Sequence, residues 1–160
     1  MLDFLPIDRE MASALTSADV FQQRYGLEAE AALDLLRTVV QQTVERVLPV
    51  GGWGYVASEG ALRRVVGTCG YRAAPDARGE VEIAYFTFPA FEGRGIATAM
   101  AKRLVEEAAG HRGVRLIIAH TLPRENASTR ILTNLGFRHA GRVKHPEDGE
   151  IWRWERAPQA

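Results

Sequence analysis

Helical spacing of apolar residues dominates the first fifty residues of the chain. Residues 27–48 carry alanine, leucine and valine at intervals of three and four, which predicts one long helix that ends at a following proline and glycine pair. Before it, the pattern predicts an edge strand at residues 4–7 and short helices that begin after Asp8 and Ser17. The first third of the chain is therefore predicted to be mainly helical.

Strand patterns replace the helical ones after residue 50. Residues 53–57 and 62–71 are rich in β-branched and aromatic side chains, and the Ser58-Glu-Gly60 segment between them predicts a hairpin turn. Residues 81–88 have the same composition and predict a third strand. Residues 114–120 form a continuous apolar run, which is typical of a strand that is covered on both faces.

One predicted helix lies between the strands at 81–88 and 114–120, and a second helix follows the latter strand. Ile96, Met100, Leu104 and Ala108 recur at helical spacing, and charged residues occupy the opposite face. A shorter helix is predicted at residues 127–135, before Gly136. The chain then closes with a predicted hairpin of residues 137–144 and 151–155.

The turn between the third strand and the longer helix carries candidate binding chemistry. Pro89 turns the chain, and Gly93 and Gly95 open the helix, where unpaired N–H groups and the helix dipole favour a phosphate. A P-loop requires Lys-Ser/Thr after its last glycine, but Ile96 and Ala97 stand there. A dinucleotide fingerprint lies early in a βαβ unit, whereas this turn lies past mid-chain. A tight turn without a ligand is the structural alternative.

The segment Glu92-Gly93-Arg94-Gly95-Ile96-Ala97 resembles the acetyl-CoA signature of the GNAT family of N-acetyltransferases, Gln/Arg-x-x-Gly-x-Gly/Ala. Glu92 departs from the family's Gln or Arg, and we expect its carboxylate to turn away and pair with Arg94 or Arg124. A second segment, from Asn126 to Gly136-Phe137, resembles the branch that contains the ribosomal-protein alanine acetyltransferases.

This resemblance implies an α/β protein of the α+β type with the acyl-CoA N-acyltransferase fold: a mixed central sheet, flanked by helices, whose central strands splay apart. Acetyl-CoA is the implied cosubstrate, with no metal. Backbone groups of Phe86 and Thr87 are implied to orient the acetyl and pantetheine. The residues implied to contact the rest of the cosubstrate are Gly93, Arg94, Gly95, Ile96, Ala97 and Thr98 at the pyrophosphate, and Asn126 and Ser128 at the pantetheine. For the last two, a purely helix-capping role is the alternative.

Glu82 is the candidate catalytic residue. Strand alternation places it on one face with Ala84 and Phe86, and a carboxylate inside a central strand is costly unless it is paired or faces a cleft. One interpretation is an ion pair with Arg63, Arg64 or Arg72. The other, which the family's Glu-Ile-Gly-Tyr strand favours, is a general base that deprotonates an ammonium substrate, directly or through water.

Other reactive side chains receive mainly structural interpretations. Leu132 stands near the place where many family members carry a tyrosine that protonates the thiolate, so water or Ser128 is expected to serve instead. His120 is interpreted as structural, with a proton carrier on the substrate side as the alternative. Cys69 is expected to be a core residue, because no base that could activate it can be placed.

Composition limits the remaining possibilities. The 160 residues carry equal numbers of acidic and basic side chains, which gives no support to nucleic-acid binding. One cysteine excludes a disulfide within the chain, and no apolar run approaches membrane-spanning length. We therefore expect a cytoplasmic protein, a monomer or homodimer, without a membrane or nucleic-acid partner.

The sequence thus predicts a single acetyltransferase domain over residues 1–160, with a helical substrate-side part at 1–50 and a sheet and acetyl-CoA-binding core at 51–156. The predicted reaction is direct attack of a primary amine, on a small molecule or a peptide, on the acetyl thioester. The alternatives are a non-catalytic acyl-CoA-binding or sensor module, and nucleotide binding at the same loop.

Overall fold

A twisted mixed sheet with helices against its faces organises residues 1–159, the part of the chain that the computed structural model describes. Within these residues the strands lie in the order β1-β2-β3-β4-β5-β7-β6, and their bounds are β1 Leu2–Pro6, β2 Trp53–Glu59, β3 Arg64–Tyr71, β4 Glu80–Thr87, β5 Leu116–Thr121, β6 Arg138–His145 and β7 Gly149–Arg156. The α-helices are α1 Arg9–Ala14, α2 Ala18–Tyr25, α3 Leu33–Gln42, α4 Ile96–Ala109 and α5 Ala127–Asn134. The predicted fold class is confirmed.

The N-terminal third follows the predicted plan except at the start of its long helix. Asp8 and Ser17 cap α1 and α2, accepting hydrogen bonds from the N–H groups of Met11 and Val20. The long helix was expected from residue 27, but Glu28 bonds through its backbone to β3 instead, so the helical stretch begins at the 3₁₀ turn Glu30–Ala32. A π-helical turn at Thr43–Val47 and a 3₁₀ turn at Leu48–Val50 continue α3.

The first hairpin also turns later than predicted. Ser58 and Glu59 still belong to β2, with Glu59 paired to Arg64 of β3, so the turn lies at residues 60–63 rather than 58–60. A shift in the β2–β3 register after Ala57 accommodates the difference. The closing hairpin of β6 and β7 forms where the sequence predicts it.

The sheet splits between its two central parallel strands. β4 and β5 pair only from Glu80–Leu116 to Glu82–Ile118. Beyond that point, β4 continues against β3 and β5 continues against β7. The predicted splay is therefore present, and it leaves one backbone edge of each strand without its sheet partner.

Helix α4 is held against the sheet so that its N-terminus lies at the open end of this splay. Met100 and Leu104 are fully buried, and the Tyr71 hydroxyl donates a hydrogen bond to the Leu104 carbonyl. Because β4 leads into α4 through residues 88–95, the loop that starts the helix follows directly on the splayed end of β4. In the described part of the chain, none of the helices has the length and apolar character needed to cross a membrane.

Candidate functional site

The loop before α4 presents backbone donors to open space. Gly93 and Gly95 have φ angles of 79° and 77°, a conformation that glycine adopts without strain, and a side chain at either position would meet no protein atom within 4 Å. Following Glu92, the next backbone N–H that bonds within residues 1–159 belongs to Ala99, which donates to the Gly95 carbonyl. The intervening N–H groups and the helix dipole suit an anion such as a pyrophosphate.

The ion pairs around this loop differ from the prediction. Arg94 pairs with Glu59 at 3.2 Å and lies over the Phe91 ring, so it does not pair with Glu92. Within residues 1–159, Glu92 forms no ion pair with Arg124 either. The predicted pairing of Glu92 was therefore wrong, because Glu59 of β2 is close to Arg94 and already pairs with Arg64.

The splayed edge of β4 provides a second set of backbone groups. Phe88 donates its N–H to Val66 in β3, and Glu82 accepts through its carbonyl from Arg72, so even-numbered residues of β4 direct their backbone towards β3. Odd-numbered residues, Tyr85 and Thr87, direct theirs into the splay. The backbone groups of Phe86 therefore face β3, and those of Tyr85 and Thr87 lie at the open edge.

Thr87 supports the presence of a ligand here. Its hydroxyl oxygen is buried and has no hydrogen-bond partner within residues 1–159. Buried polar groups in proteins almost always have a partner, so an orphaned hydroxyl beside an open strand edge calls for one from outside the chain. The amide-rich arm of pantetheine has donors and acceptors that fit this edge.

Glu82 lies at the base of the splay, where β4 and β5 part. Its carboxylate contacts the Arg72 guanidinium at 2.8 Å and His120 Nδ1 at 3.0 Å. The Glu82 side chain is 26% exposed and the His120 side chain 23%, so both remain reachable from a cavity of about 320 Å³. Glu82 thus has both predicted features: an ion pair with an arginine and access to a cleft. A carboxylate beside an imidazole can accept a proton and pass it on.

His120 contacts Glu82, a contact that the sequence interpretation does not include. Glu82 pairs with Ile118, and His120 lies two residues further along β5 on the same face, so the side chains meet where the strands separate. The contact favours the proton-carrier alternative over a purely structural one. The signal in the sequence is the position of His120 at the end of a strand parallel to that of Glu82.

A second cavity adjoins the first and shares Arg72 with it. Its volume is about 450 Å³, and it lies between the Thr43–Val47 turn and the sheet. The lining combines apolar side chains with few charges. The apolar lining includes Ile7, Val39, Val47, Trp53 and Phe86, and the charged lining residues are Arg46, Arg72 and Glu147.

Asn126 and Ser128 begin α5 on the other side of the splay. The Asn126 side chain accepts from the Thr129 N–H at 3.0 Å, and the Thr129 hydroxyl accepts from the Asn126 N–H at 2.9 Å, which is a reciprocal capping box. The capping role expected as the alternative is present. It uses the amide oxygen of Asn126, and the amide nitrogen has no hydrogen-bond acceptor among the described residues.

Replacing Asn126 with serine separates its two roles. Serine caps a helix about as well as asparagine, so the free energy of unfolding should change by only a few tenths of a kcal/mol. If the amide nitrogen also donates to the cosubstrate, CoA affinity should fall about fivefold, the equivalent of about 1 kcal/mol. Calorimetric titration with CoA and thermal unfolding measure the two effects. Wild-type affinity would restrict Asn126 to capping.

Tyr85 brings a hydroxyl close to α5, the helix that lacks a tyrosine. Leu132, which stands where family members often carry that tyrosine, is fully buried. The Tyr85 side chain comes from β4; burial raises its pKa, and the nearby Ser128 hydroxyl opposes that rise. The pair therefore keeps its protons at neutral pH at the edge of the splay. In the sequence, the position of Tyr85 in the Glu-Ile-Ala-Tyr strand is the signal for this hydroxyl.

Cys69 is a core residue, as predicted. It is 6% exposed, and burial raises the pKa of its thiol to about 12. A thiol in that state is not a nucleophile at neutral pH. Cys69→Ala should therefore keep kcat within about twofold of wild type. A thiol-release assay on the folded variant tests this, and a large loss would indicate an acyl-cysteine step.

Metal ligation finds no support in the described residues. Within residues 1–159, no group of three or more histidine, cysteine, aspartate or glutamate side chains is arranged to hold a metal ion.

Comparison with known protein families identifies one match along most of the chain. The model of the acetyltransferase (GNAT) domain matches residues 5–138, which include the N-terminal helices, the splay and the loop before α4. No curated protein sequence matches the chain.

Solved structures share the fold across nearly the whole chain. RimL, a ribosomal-protein α-N-acetyltransferase in complex with coenzyme A, superposes with a TM-score of 0.71 at 14% identity, covering 98% of this chain and 93% of its own. A ribosomal-protein alanine acetyltransferase from Vibrio fischeri gives 0.70 at 15% identity, with coverage of 98% and 93%. The spermidine/spermine N-acetyltransferase SpeG from Vibrio cholerae gives 0.67 at 12% identity, with coverage of 99% and 96%.

Proposed function

The chain belongs to the acetyltransferase (GNAT) family, and from that premise we propose how its cleft transfers an acetyl group from acetyl-CoA to a primary amine. The loop at residues 93–98 and the odd-numbered edge of β4 hold the cosubstrate, and Glu82 with His120 receives the proton of the amine. One observation carries the proposal. The carboxylate–imidazole pair lies at the point where β4 and β5 separate, between the cosubstrate side and the cavities.

Glu82 acts on the acceptor. An alkyl ammonium has a pKa well above neutrality and cannot attack until it has lost a proton. The Glu82 carboxylate takes that proton, directly or through water, and His120 passes it to solvent. The amine nitrogen then forms a bond to the acetyl carbon as the carbon–sulfur bond breaks. Positioning of the two reactants in one cleft supplies much of the acceleration.

Tyr85 and Ser128 act on the leaving group. Of the two protons that the ammonium loses in becoming an amide, one leaves through Glu82 and the other balances the thiolate of CoA. The Tyr85 hydroxyl, with Ser128 nearby, stabilises the thiolate and passes a proton to its sulfur. A thiolate is a tolerable leaving group, so this pair is expected to matter less than Glu82.

These observations argue against the two alternative functions, a non-catalytic acyl-CoA-binding module and nucleotide binding. A non-catalytic acyl-CoA-binding module needs no base, yet the cleft has a carboxylate and an imidazole in contact and reachable from a cavity. Nucleotide binding would account for the loop but not for the open β4 edge and the orphaned Thr87 hydroxyl. The family match favours the enzyme over both.

A two-part assay tests the proposal. CoA and ATP binding are first compared by calorimetric titration, and thiol release from acetyl-CoA is then followed with a panel of primary amines. We expect CoA to bind, ATP to bind far more weakly, and at least one amine to accelerate thiol release with formation of its N-acetyl product. CoA binding without turnover of any amine would support the non-catalytic module.

Further expectations about the domain, its location, its acceptor and its assembly remain part of the proposal. Residues 1–50 would form the acceptor side and residues 51–156 the acetyl-CoA side of a single domain over residues 1–160. The protein would act in the cytoplasm on a small-molecule or peptide amine, as a monomer or homodimer and without a metal.

A further inference from the structure

The charges of the larger cavity point to the chemistry of the acceptor. Arg46, on the Thr43–Val47 turn, lines the cavity, and it forms no ion pair within residues 1–159. Arg72, directly after β3, lines it as well. Among the described lining residues, Glu147 of the β6–β7 turn is the only carboxylate. The cavity lining therefore carries two guanidinium groups and one carboxylate; Glu82, outside this lining, pairs with Arg72, so Arg46 is the cation that an occupant finds without an ion pair among the described residues.

Arg72 connects this cavity with the catalytic pair. Its Nε atom contacts the Glu82 carboxylate at 2.8 Å, whereas its terminal Nη groups have no acceptor among the described residues. Guanidinium groups with free donors bind carboxylates with directional, often bidentate, hydrogen bonds. Because Arg72 contacts Glu82, a substrate carboxylate bound to the Arg72 Nη groups would lie close to a substrate ammonium at Glu82.

The same charges disfavour other acceptors. A polyamine would bring a second and a third cationic group against the guanidinium groups of Arg46 and Arg72, with only Glu147 in the lining to offset them once Glu82 is engaged with the first ammonium. A simple alkylamine would leave Arg46 unpaired. The apolar lining of Ile7, Val39 and Phe86 suits a hydrocarbon body of modest size in a volume of about 450 Å³.

We infer, on the basis of the proposed acetyltransferase function, that the acceptor is an amine that also carries a carboxylate, with an apolar body, as in a hydrophobic amino acid. The ammonium faces Glu82 and His120, the carboxylate faces Arg72 and Arg46, and the apolar part lies against the residues of α3 and β4.

Matched acceptors test this inference. Phenylalanine, phenylalaninamide and phenethylamine differ at the carboxylate, and spermidine represents the polyamines. Thiol release should give a kcat/KM for phenylalanine at least about tenfold above those for the amide and the amine, with spermidine the poorest of the four. A phosphonate analogue of phenylalanine should be no better than phenylalanine, and a faster phosphonate would overturn the assignment of a carboxylate.

Variants of Arg46 test whether this residue binds the carboxylate of the acceptor. Arg46→Gln should raise the KM for phenylalanine about tenfold and leave the KM for phenylalaninamide within about twofold, and Arg46→Lys should restore part of the loss. Arg142→Gln is the control, because Arg142 is an exposed arginine of β6 that pairs with Glu150 and lines neither cavity.

The outcomes distinguish this inference from the proposed function. Turnover of the neutral amines or of spermidine without preference for the carboxylate would overturn the inference and leave the acetyltransferase in place. An equal effect of Arg46→Gln on the acid and the amide would also overturn it. Failure of every amine, with CoA still bound, would overturn the proposed function and the inference with it.

Discussion

Replacing Glu82 with glutamine is expected to lower kcat roughly 100-fold, the usual contribution of a positioned general base. Glutamine keeps the size and much of the hydrogen bonding of Glu82 but cannot accept the proton of the ammonium. CoA affinity should stay near wild type, since the base acts on the acceptor and the cosubstrate is held by the loop before α4 and the β4 edge. Steady-state thiol release and CoA titration provide the two measurements.

The pH dependence of this loss identifies its cause. As the pH rises towards the pKa of the free amine, more of the acceptor is already deprotonated, so the deficit of the variant should shrink. A deficit that stays constant with pH would point to misplacement of the acceptor rather than to a missing base.

Glu80→Gln is the matched control for Glu82→Gln. Glu80 lies two residues away on the same face of β4 and pairs with Arg153 of β7 at 3.3 Å, outside both cavities. The Glu80→Gln variant should have a slightly lower stability and nearly the activity of the wild type. If Glu82 served only its ion pair with Arg72, Glu82→Gln would behave in the same way, with a lower melting temperature and an unchanged rate at every pH.

The sequence predicts elements well wherever local physics decides them. Apolar periodicity, Asp8 and Ser17 as helix caps, and the glycines before α4 depend on neighbours in the chain, and these predictions are confirmed. The start of the long helix failed for a non-local reason. Residues near Glu28 have helical spacing, but the backbone of Glu28 gains hydrogen bonds from β3, which local propensity does not include.

In the candidate site, too, the sequence predicts what depends on local pattern but not what depends on the pairing of distant segments. Strand alternation identified the face of Glu82, but the contact with His120 depends on the register of β4 against β5, which a single sequence does not give. The backbone direction of Phe86 depends on which residues pair with β3, and a shift of one residue reverses it. Arg94 pairs with Glu59, which is far away in the sequence and comes close only because β2 lies near the loop before α4. Arg46 likewise lines the larger cavity only because its turn packs on the sheet.

Replacing Gly95 with glutamate is expected to weaken CoA binding by about 100-fold or more, the equivalent of nearly 3 kcal/mol, because it places a carboxylate where the pyrophosphate is proposed to lie. The fold should persist: the new side chain meets no protein atom within 4 Å, and the backbone strain at φ 77° costs about 1 kcal/mol. Gly95→Ala reports that strain without the charge. Gly149→Glu makes the same change at φ 73°, also in open space, at the first residue of β7, and should leave CoA binding near wild type. If a folded Gly95→Glu variant bound CoA as tightly as Gly149→Glu does, the loop before α4 would not be the pyrophosphate site, and the cosubstrate would have to enter the splay from its other end.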